Sequence, residues 1–162
     1  MAFQSDQELV SSIAETLDAI RQLVNGVAQA DLTRKPADQI WSVLEHICHL
    51  RDIEQEGYTV RIEKILSQNR PFLADLDGDQ LAAERDYNHQ PFDQALLSFI
   101  AARESNIRKL RALSDEQMNR SAMFENVGVI TLAQLIQMMC EHDRGHLQQL
   151  GELCAQLSGS EP

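Results

Sequence analysis

Residues 131–157 read TLAQLIQMMCEHDRGHLQQLGELCAQL, and their pattern decides the fold. The apolar residues recur at steps of three and four, which keeps their side chains on one face of an α-helix. Thr131 precedes this pattern as an N-cap. The sequence therefore predicts a helix over Leu132–Leu157, about 40 Å long at the usual rise per residue.

Three further stretches carry the same helical spacing. The predicted helices run over about Ser5–Ala28, from near Pro36–Gln39 to Gln68 with a bend at Gly57, and over Pro91–Leu113. The connections Asn69–Gln90 and Ser114–Ile130 lack periodicity. Because the first is longer than an antiparallel neighbour needs, it should cross the bundle from end to end. The expected fold is all-α, a single domain over residues 1–162 built as an up-down-down-up four-helix bundle.

Composition and charge restrict the class of protein. The 162 residues are 43% apolar and 24% charged, and 25 Asp and Glu against 14 Lys and Arg give a formal charge of -11. Such a surface repels phosphate backbones and anionic membranes, so neither nucleic acid nor membrane is expected as a partner. Residues 1–10 show no secretory signal and no apolar run is long enough to span a bilayer, which predicts a cytoplasmic protein.

The three cysteines are expected to be reduced, buried thiols. Cys48, Cys140 and Cys154 are odd in number and show no C-x-x-C spacing. This argues against a disulfide framework and against a cysteine-only zinc site. Cys48 and Cys140 are the candidates for a fourth ligand of a histidine site, and Cys140 is disfavoured because it lies about 120° from His146 on the helical wheel.

Four of the five histidines form two pairs on predicted helices, which invites a metal interpretation. His142 and His146 lie about 40° apart on the apolar face of the last helix, so both point into the core. They can share one metal ion, or they can be neutral core histidines bonded to carbonyls or carboxylates. Asp143 replaces the glutamate of the HExxH protease motif, which disfavours a protease. It is expected to orient a neighbouring group or to pair with Arg144 or Arg120.

The second predicted helix offers a third ligand. His49 can face the fourth helix, and water would then complete the open shell of a catalytic zinc-type site. His46 lies about 60° from His49 on the wheel and is expected next to the metal ligands without binding the metal, or at the surface. Glu45 and Asp52 lie near His49 in sequence, so each could hold an imidazole N–H or be a solvated helical acid.

Three other side chains are expected to take no part in metal binding or catalysis. Trp41 is interpreted as a large anchor in the core or in a groove. Gln149 is expected to be a surface amide, although it could reach back toward the site. His89 lies in a connection without a helical partner, so a surface position is expected.

Three motifs together carry a resemblance to a known family. They are WSxxExxxHL at residues 41–50, GxxTL at 128–132 and EHDxxHxxQ at 141–149, and they extend over nearly the whole chain. In spacing and order the sequence resembles the DinB/YfiT-like superfamily of helical metalloenzymes. The resemblance implies an up-down-down-up four-helix bundle, frequent homodimers, and a divalent metal held by His49, His142 and His146.

Two chemistries are open at such a site. Three neutral imidazoles leave a divalent metal its full charge, which lowers the pKa of a bound water or thiol. One chemistry is hydrolysis of an amide or ester, with Glu45 or Asp143 moving the proton. The other is transfer of a low-molecular-weight thiol to an electrophile. The resemblance implies both, each on a small-molecule substrate, with Zn or Ni as the expected metal and Mn or Fe as alternatives.

A non-catalytic protein is the remaining alternative. It would be a metal-stabilised homodimer that serves in a stress response or binds a partner. The metal site distinguishes the two interpretations, because catalysis needs an open coordination position in a cleft, whereas a structural site is closed by a fourth protein ligand.

Overall fold

Four helical stretches pack side by side in this computed structural model, which describes residues 5–159. The helices are α1 (Asp6–Asn25), α2 (Val43–Asp52), α3 (Thr59–Ser67), α4 (Gly78–Arg85), α5 (Phe92–Arg111), α6 (Asp115–Met118) and α7 (Leu132–Ser158), and the strands are β1 (Phe72–Leu73), β2 (Ser121–Phe124) and β3 (Gly128–Thr131). The bundle consists of α1, the α2–α3 pair, α5 and α7. Residues 1–4 and 160–162 of the predicted domain lie outside the described residues.

The second helix of the bundle begins at Val43, so the predicted start near 36–39 is wrong. Ser42 caps this helix: its Oγ accepts a hydrogen bond from the Glu45 N–H (3.1 Å), and the Glu45 carboxylate accepts one from the Ser42 N–H (2.7 Å). This reciprocal capping box satisfies two backbone donors that would otherwise be unpaired. The cap fixes the start of α2 less than two turns ahead of His49.

A π-helical segment, Ile53–Tyr58, joins α2 to α3 at the bend predicted around Gly57. A π-turn holds one residue more than an α-turn, so the side chains that follow are rotated relative to a continuous α-helix. Glu54 and Tyr58 in this segment are both buried. Single π-turns inside α-helices occur frequently at functional sites.

Contacts at the helix ends show that the second and third helices of the bundle, the α2–α3 pair and α5, run in the same direction. Their starts lie together, because Ser42 Oγ donates to the Asn88 side chain (2.5 Å) just ahead of α5. Their ends also lie together, because Arg120 after α5 donates from Nε to the Ile65 carbonyl in the last turn of α3 (2.7 Å). The connection between these helices therefore crosses the bundle from end to end, as predicted.

The first and fourth helices of the bundle, α1 and α7, are parallel to each other and antiparallel to the α2–α3 pair and α5. Cys140 Sγ lies 3.6 Å from the Leu9 carbonyl in the first halves of α7 and α1. Leu23 and Leu157 line one cavity near the ends of the same helices. Strand β3 leads into α7 at the end of the bundle where α3 and α5 finish. The up-down-down-up order is thereby confirmed.

Three short strands lie in connections that the sequence predicted as irregular. β1 pairs parallel to β2 and β2 antiparallel to β3, with Phe72, Met123 and Val129 in one exposed row. Leu73 and Phe124 of the next row are buried in the core. Strands of two to four residues are too short to show a clear alternation of apolar and polar residues. The fold remains a helical bundle, with this small sheet at one end.

The apolar core is continuous between the helices. Cys48 and Cys140 are buried and Cys154 is half-buried, all as free thiols. Among residues 5–159, no helix combines the length and the apolar character that crossing a membrane requires.

Candidate metal centre

Three histidines from two helices converge between α2 and α7. His49 comes from α2, and His142 and His146 come from α7, one turn apart. One ring nitrogen of each lies within 4.8 Å of those of the other two. His49 Nε2 is 3.1 Å from His142 Nε2, and the His146 ring centroid is 4.6 Å from that of His49. The structure brings together the three histidines that the sequence proposes as ligands.

The donor set fits one divalent metal ion. Burial and then the neighbouring histidines lower the pKa of His49 to about 4, and they lower the pKa of His146 still further. Both rings are therefore neutral at pH 7, which is the form of imidazole that binds a metal. Two nitrogens on one tetrahedral zinc lie about 3.3 Å apart, close to the 3.1 Å between the Nε2 atoms of His49 and His142.

His46 lies beside the three histidines and is not at the surface. It is only 4% exposed, and its Nδ1 lies 3.1 Å from Nδ1 of His146. Of the two placements predicted for His46, the surface position is wrong, and the structure shows the position next to the ligands, outside the group of three. Because Nδ1 of His146 faces His46, its Nε2 is the nitrogen that remains for a metal.

The Trp41 indole packs against three of the histidine rings. It stacks on His146 with the ring planes 7° apart, and its centroid lies 5.4 Å from that of His46 and 4.9 Å from that of His49. Trp41 is half-buried and lines two cavities, which also share His146. Of the two placements predicted for Trp41, the structure shows the anchor in a groove.

Asp143 is fully buried and pairs with Arg103, so the predicted pairing with Arg144 or Arg120 is wrong. Both Nη atoms of Arg103 donate to its carboxylate, and Oδ1 lies 3.4 Å from Nδ1 of His142. Burial raises the pKa of Asp143, but Arg103 and the contact with His142 outweigh burial and hold the pKa below its usual range. An ionised carboxylate thus faces the outer nitrogen of His142. This arrangement orients the ring.

The Glu45 carboxylate is held at the start of α2. It accepts a hydrogen bond from the Ser42 N–H (2.7 Å) and pairs with Lys35 Nζ (3.1 Å). Neither partner is a histidine ring. Of the two roles considered for Glu45, the hydrogen bond to an imidazole N–H is therefore wrong, and its catalytic role stays a prediction.

Asp52 does not hold an imidazole N–H either. Its carboxylate accepts from Arg51 (2.6 Å), from Arg85 (2.7 Å) and from the Tyr87 hydroxyl (2.7 Å). Arg85 and Tyr87 belong to the connection between α3 and α5. Asp52 therefore fastens that connection to α2, three residues from His49.

The three histidines form part of the wall of an open cavity of about 930 Å³. Tyr58 and Arg61 lie in the same wall, and the Tyr58 ring centroid is 6.0 Å from that of His142. Burial, and then Asp143, raises the pKa of Tyr58, so its hydroxyl is protonated at neutral pH. Several acidic residues complete the lining: Asp75, Asp77, Asp79, Glu125 and Glu141.

Two residues lie at the surface, as the sequence predicts. His89 is exposed, and its Nδ1 contacts Asp86 (2.8 Å). Gln149 is also exposed, and it lines the second, smaller cavity beside Trp41 and His46.

Gly78, the first residue of α4, allows the start of this helix to pass directly over His49. A Cβ atom at this position would overlap Cε1 of His49 and lie 2.9 Å from its Nδ1. Gly78→Ala is therefore expected to displace the His49 ring and to weaken metal binding about tenfold. Competition with a chromogenic chelator measures this affinity. Gly151→Ala is the matched control, because a Cβ there meets no atom within 4 Å; equal affinities of the two variants would contradict the expected displacement.

The buried histidines make the stability of the metal-free protein pH-dependent. Burial lowers the pKa of His46 and of His49 to about 4, from 6.5 in an unfolded chain. Between pH 6.5 and pH 4 the unfolded state binds more protons than the folded state. The contribution of these histidines to the free energy of unfolding is therefore fully present above pH 6.5 and is lost as the pH drops toward 4. Each of the two histidines changes the free energy of unfolding by about 1.4 kcal/mol per pH unit within this window.

Urea denaturation of metal-free protein at several pH values checks this dependence. His46→Gln is expected to lose less stability than the wild type between pH 6.5 and 4.5, because one of the buried titrating rings is gone. His89→Gln should follow the wild type, since His89 is exposed. Parallel curves for the wild type and His46→Gln would contradict the expectation.

The sequence did not point to two residues of the site, Tyr58 and Arg61 in the cavity wall. The Gly57 bend was the only signal near Tyr58. Both Tyr58 and Arg61 follow the start of the π-segment, which rotates them relative to a continuous helix.

Comparisons with known proteins agree with this architecture. The sequence profile of the DinB superfamily matches residues 12–150. Two proteins of Oceanobacillus iheyensis, each named "putative metal-dependent hydrolase", are 28% and 20% identical to this chain. The matches cover 94% of this chain in both cases, and 92% and 87% of the relatives.

Solved structures share the fold. YfiT from Bacillus subtilis, described as "a probable metal-dependent hydrolase with an unusual four-helix bundle topology", superposes with a TM-score of 0.84 at 19% identity, over 98% of this chain and 90% of its own. A DinB-like protein, YjoA of Bacillus subtilis, superposes with a TM-score of 0.63 at 16% identity, over 95% and 94%. On the profile match over most of its length, this chain belongs to the DinB superfamily.

Proposed function

We propose that this protein is a divalent-metal-dependent hydrolase that acts on a small molecule, with His49, His142 and His146 as the metal ligands. The observation that carries the proposal is that the three histidines lie in the wall of an open cavity. A structural zinc site is closed by four protein ligands, whereas a catalytic site keeps a position for water or substrate. The relatives named as metal-dependent hydrolases support the same class.

The outer contacts of the histidines decide which nitrogens would hold the metal. His142 would use Nε2, because its Nδ1 faces Asp143, and His146 would use Nε2, because its Nδ1 faces His46. A metal bound there supplies Lewis acidity toward a substrate oxygen and lowers the pKa of water. Imidazole ligands suit Zn or Ni, whereas Mn is usually held by oxygen ligands.

Tyr58 and Arg61 would contact the substrate. The protonated Tyr58 hydroxyl can donate a hydrogen bond to a substrate oxygen. Arg61 donates to the Ala74 carbonyl (2.9 Å) and lies 4.5 Å over the Phe124 ring, so its guanidinium is fixed in the cavity wall. Fixed donors stabilise negative charge that develops in a transition state. The cavity volume of about 930 Å³ lies within the usual range of small-molecule sites.

Thiol transfer is the second candidate, and one observation favours it. Both carboxylates predicted to move a proton are engaged, Glu45 by Ser42 and Lys35 and Asp143 by Arg103. A thiol is a stronger acid than water and ionises at a metal without such a carboxylate. The thiol proton would pass to solvent water, and the sulfur would form a bond to an electrophilic carbon while the leaving group departs with its electron pair.

The test compares Zn- and Ni-reconstituted protein on two panels of small molecules. Aryl esters and anilides report hydrolysis, and a chlorinated nitrobenzene with cysteine or a cysteine derivative reports thiol transfer. Hydrolysis that requires metal and is absent in His146→Ala supports the proposal. Metal-dependent conjugation without hydrolysis would establish the second candidate instead. Metal retention without turnover on either panel would contradict an enzymatic function and favour a non-catalytic, metal-stabilised protein.

A further inference from the structure

Three charged side chains are joined by hydrogen bonds inside the bundle. Glu54, Arg103 and Asp143 come from the π-segment, α5 and α7, and each is at most 1% exposed. Arg103 Nη2 donates to Glu54 (2.8 Å), and both Nη atoms donate to Asp143. Asn106 donates to the second oxygen of Glu54 (2.7 Å) and contacts the Thr59 hydroxyl (2.8 Å).

Packing alone does not account for this network. Burying ions costs free energy, and well-packed apolar side chains in their place are often equally stable or more stable. Counted at their formal charges, two carboxylates against one guanidinium leave one negative charge in excess. This cluster lies next to the metal centre, because Asp143 Oδ1 is 3.4 Å from Nδ1 of His142. A divalent ion on three imidazole ligands would supply positive charge at this place.

The network also leaves Asp143 no freedom to rotate. Arg103 binds both of its oxygens, Glu54 holds Arg103, and Asn106 holds Glu54. A carboxylate fixed in this way keeps Oδ1 on Nδ1 of His142. The Nε2 atom of that ring then faces His49 (3.1 Å).

We propose that Glu54 and Arg103 are positioning residues of the metal centre. They act through Asp143, which holds His142 in the orientation and tautomer that present Nε2 to the metal. The recorded hydrogen bonds and ion pairs of Glu54 and Arg103 do not include the three histidines. This inference rests on the metal site of the proposed function and adds two buried residues, from the π-segment and α5, that set the metal affinity of that site.

The test measures metal binding in Glu54→Gln, Asp143→Asn and the double variant, each prepared metal-free and then loaded. Competition with a chromogenic chelator gives the Zn²⁺ affinity, and the visible absorption of bound Co²⁺ reports the ligand geometry. Glu54→Gln is expected to bind Zn²⁺ about tenfold more weakly and to shift the Co²⁺ bands. Because Glu54 acts through Asp143, the double variant should bind no more weakly than Asp143→Asn alone.

Glu63→Gln is the matched control. It makes the same change in α3, at an exposed acid that pairs with Lys109 of α5 (3.0 Å). Its Zn²⁺ affinity and Co²⁺ spectrum should equal those of the wild type. If Glu54→Gln does not fold, Arg103→Lys replaces it, because it keeps the charge but loses the fork that joins the two carboxylates; a severalfold weaker affinity is expected.

Three results would overturn the inference. One is a folded Glu54→Gln, or in its place a folded Arg103→Lys, whose Zn²⁺ affinity is within twofold of the wild type and whose Co²⁺ bands are unchanged. Another is a double variant in which the two fold-changes multiply, since Glu54 would then act independently of Asp143. A wild-type protein that takes up no metal would overturn the proposed function together with the inference, so the two failures are distinguishable.

Discussion

Replacing His142 by alanine is expected to abolish metal retention, from about one ion per chain to almost none. His142 Nε2 lies 3.1 Å from His49 Nε2, and its loss leaves only two imidazoles at the site. Two ligands do not hold a divalent ion against a chelator, because the remaining positions revert to water. Elemental analysis by mass spectrometry after dialysis against a chelator measures the retained metal.

His89→Ala is the control for this experiment. It also removes one imidazole, but His89 is exposed and its described ion pair is with Asp86. It should retain metal as the wild type does. Equal loss in both variants, or equal retention, would contradict the assignment of His142 as a ligand.

Arg103→Leu is expected to have the largest effect on stability. The substitution leaves Glu54 and Asp143 buried without their shared cation. Removing one partner of a buried ion pair costs about 3–5 kcal/mol, because the remaining charge is uncompensated in a medium of low dielectric constant. Urea denaturation of metal-free protein in the presence of a chelator gives the free energy of unfolding without a contribution from the metal.

Lys109→Leu provides the comparison, because it removes a cation of the same helix. Lys109 pairs with Glu63 at the surface, where both side chains are partly or largely exposed. Solvent-exposed pairs of this kind contribute about 1 kcal/mol or less. A loss of stability in Arg103→Leu no greater than that in Lys109→Leu would refute the buried network as described.

The bundle could be predicted from the sequence because its signals are local. Apolar residues at helical spacing identified all four helices, and the length of the 69–90 connection indicated the crossover. The three strands could not be found in the same way. β1 has two residues and the others four, so each depends on pairing with a distant segment rather than on its own pattern.

Glu45 shows a signal that was present and misinterpreted. Ser42-x-x-Glu45 is the sequence signature of a capping box, and the structure shows that box at the start of α2. A helix that starts near 36–39 would have Glu45 in its interior and free to face His49. The capping signature instead indicates a start at Val43, with the Glu45 carboxylate turned back to the Ser42 N–H.

The surroundings of the ligand histidines depend on tertiary packing. The ligands themselves could be proposed from the positions of the histidines on two helices together with the resemblance of the surrounding motifs to the DinB/YfiT-like superfamily. The partner of Asp143 is Arg103, 40 residues away, in a basic stretch where nothing local distinguishes it from Arg108 or Arg111. The burial of His46 likewise depends on how α7 lies against α2, since His146 is its neighbour. Such contacts follow from the arrangement of the helices and not from their periodicity.

The central claim is that His49, His142 and His146 bind one divalent ion. Its most direct test is an elemental count on wild-type protein that is purified without chelator and then reconstituted in turn with Zn, Ni, Mn and Fe. The structure predicts about one ion per chain with Zn or Ni after unbound metal is removed. Protein that retains no metal under any of these conditions would contradict the claim, because the four clustered histidines would then be structural residues of the bundle.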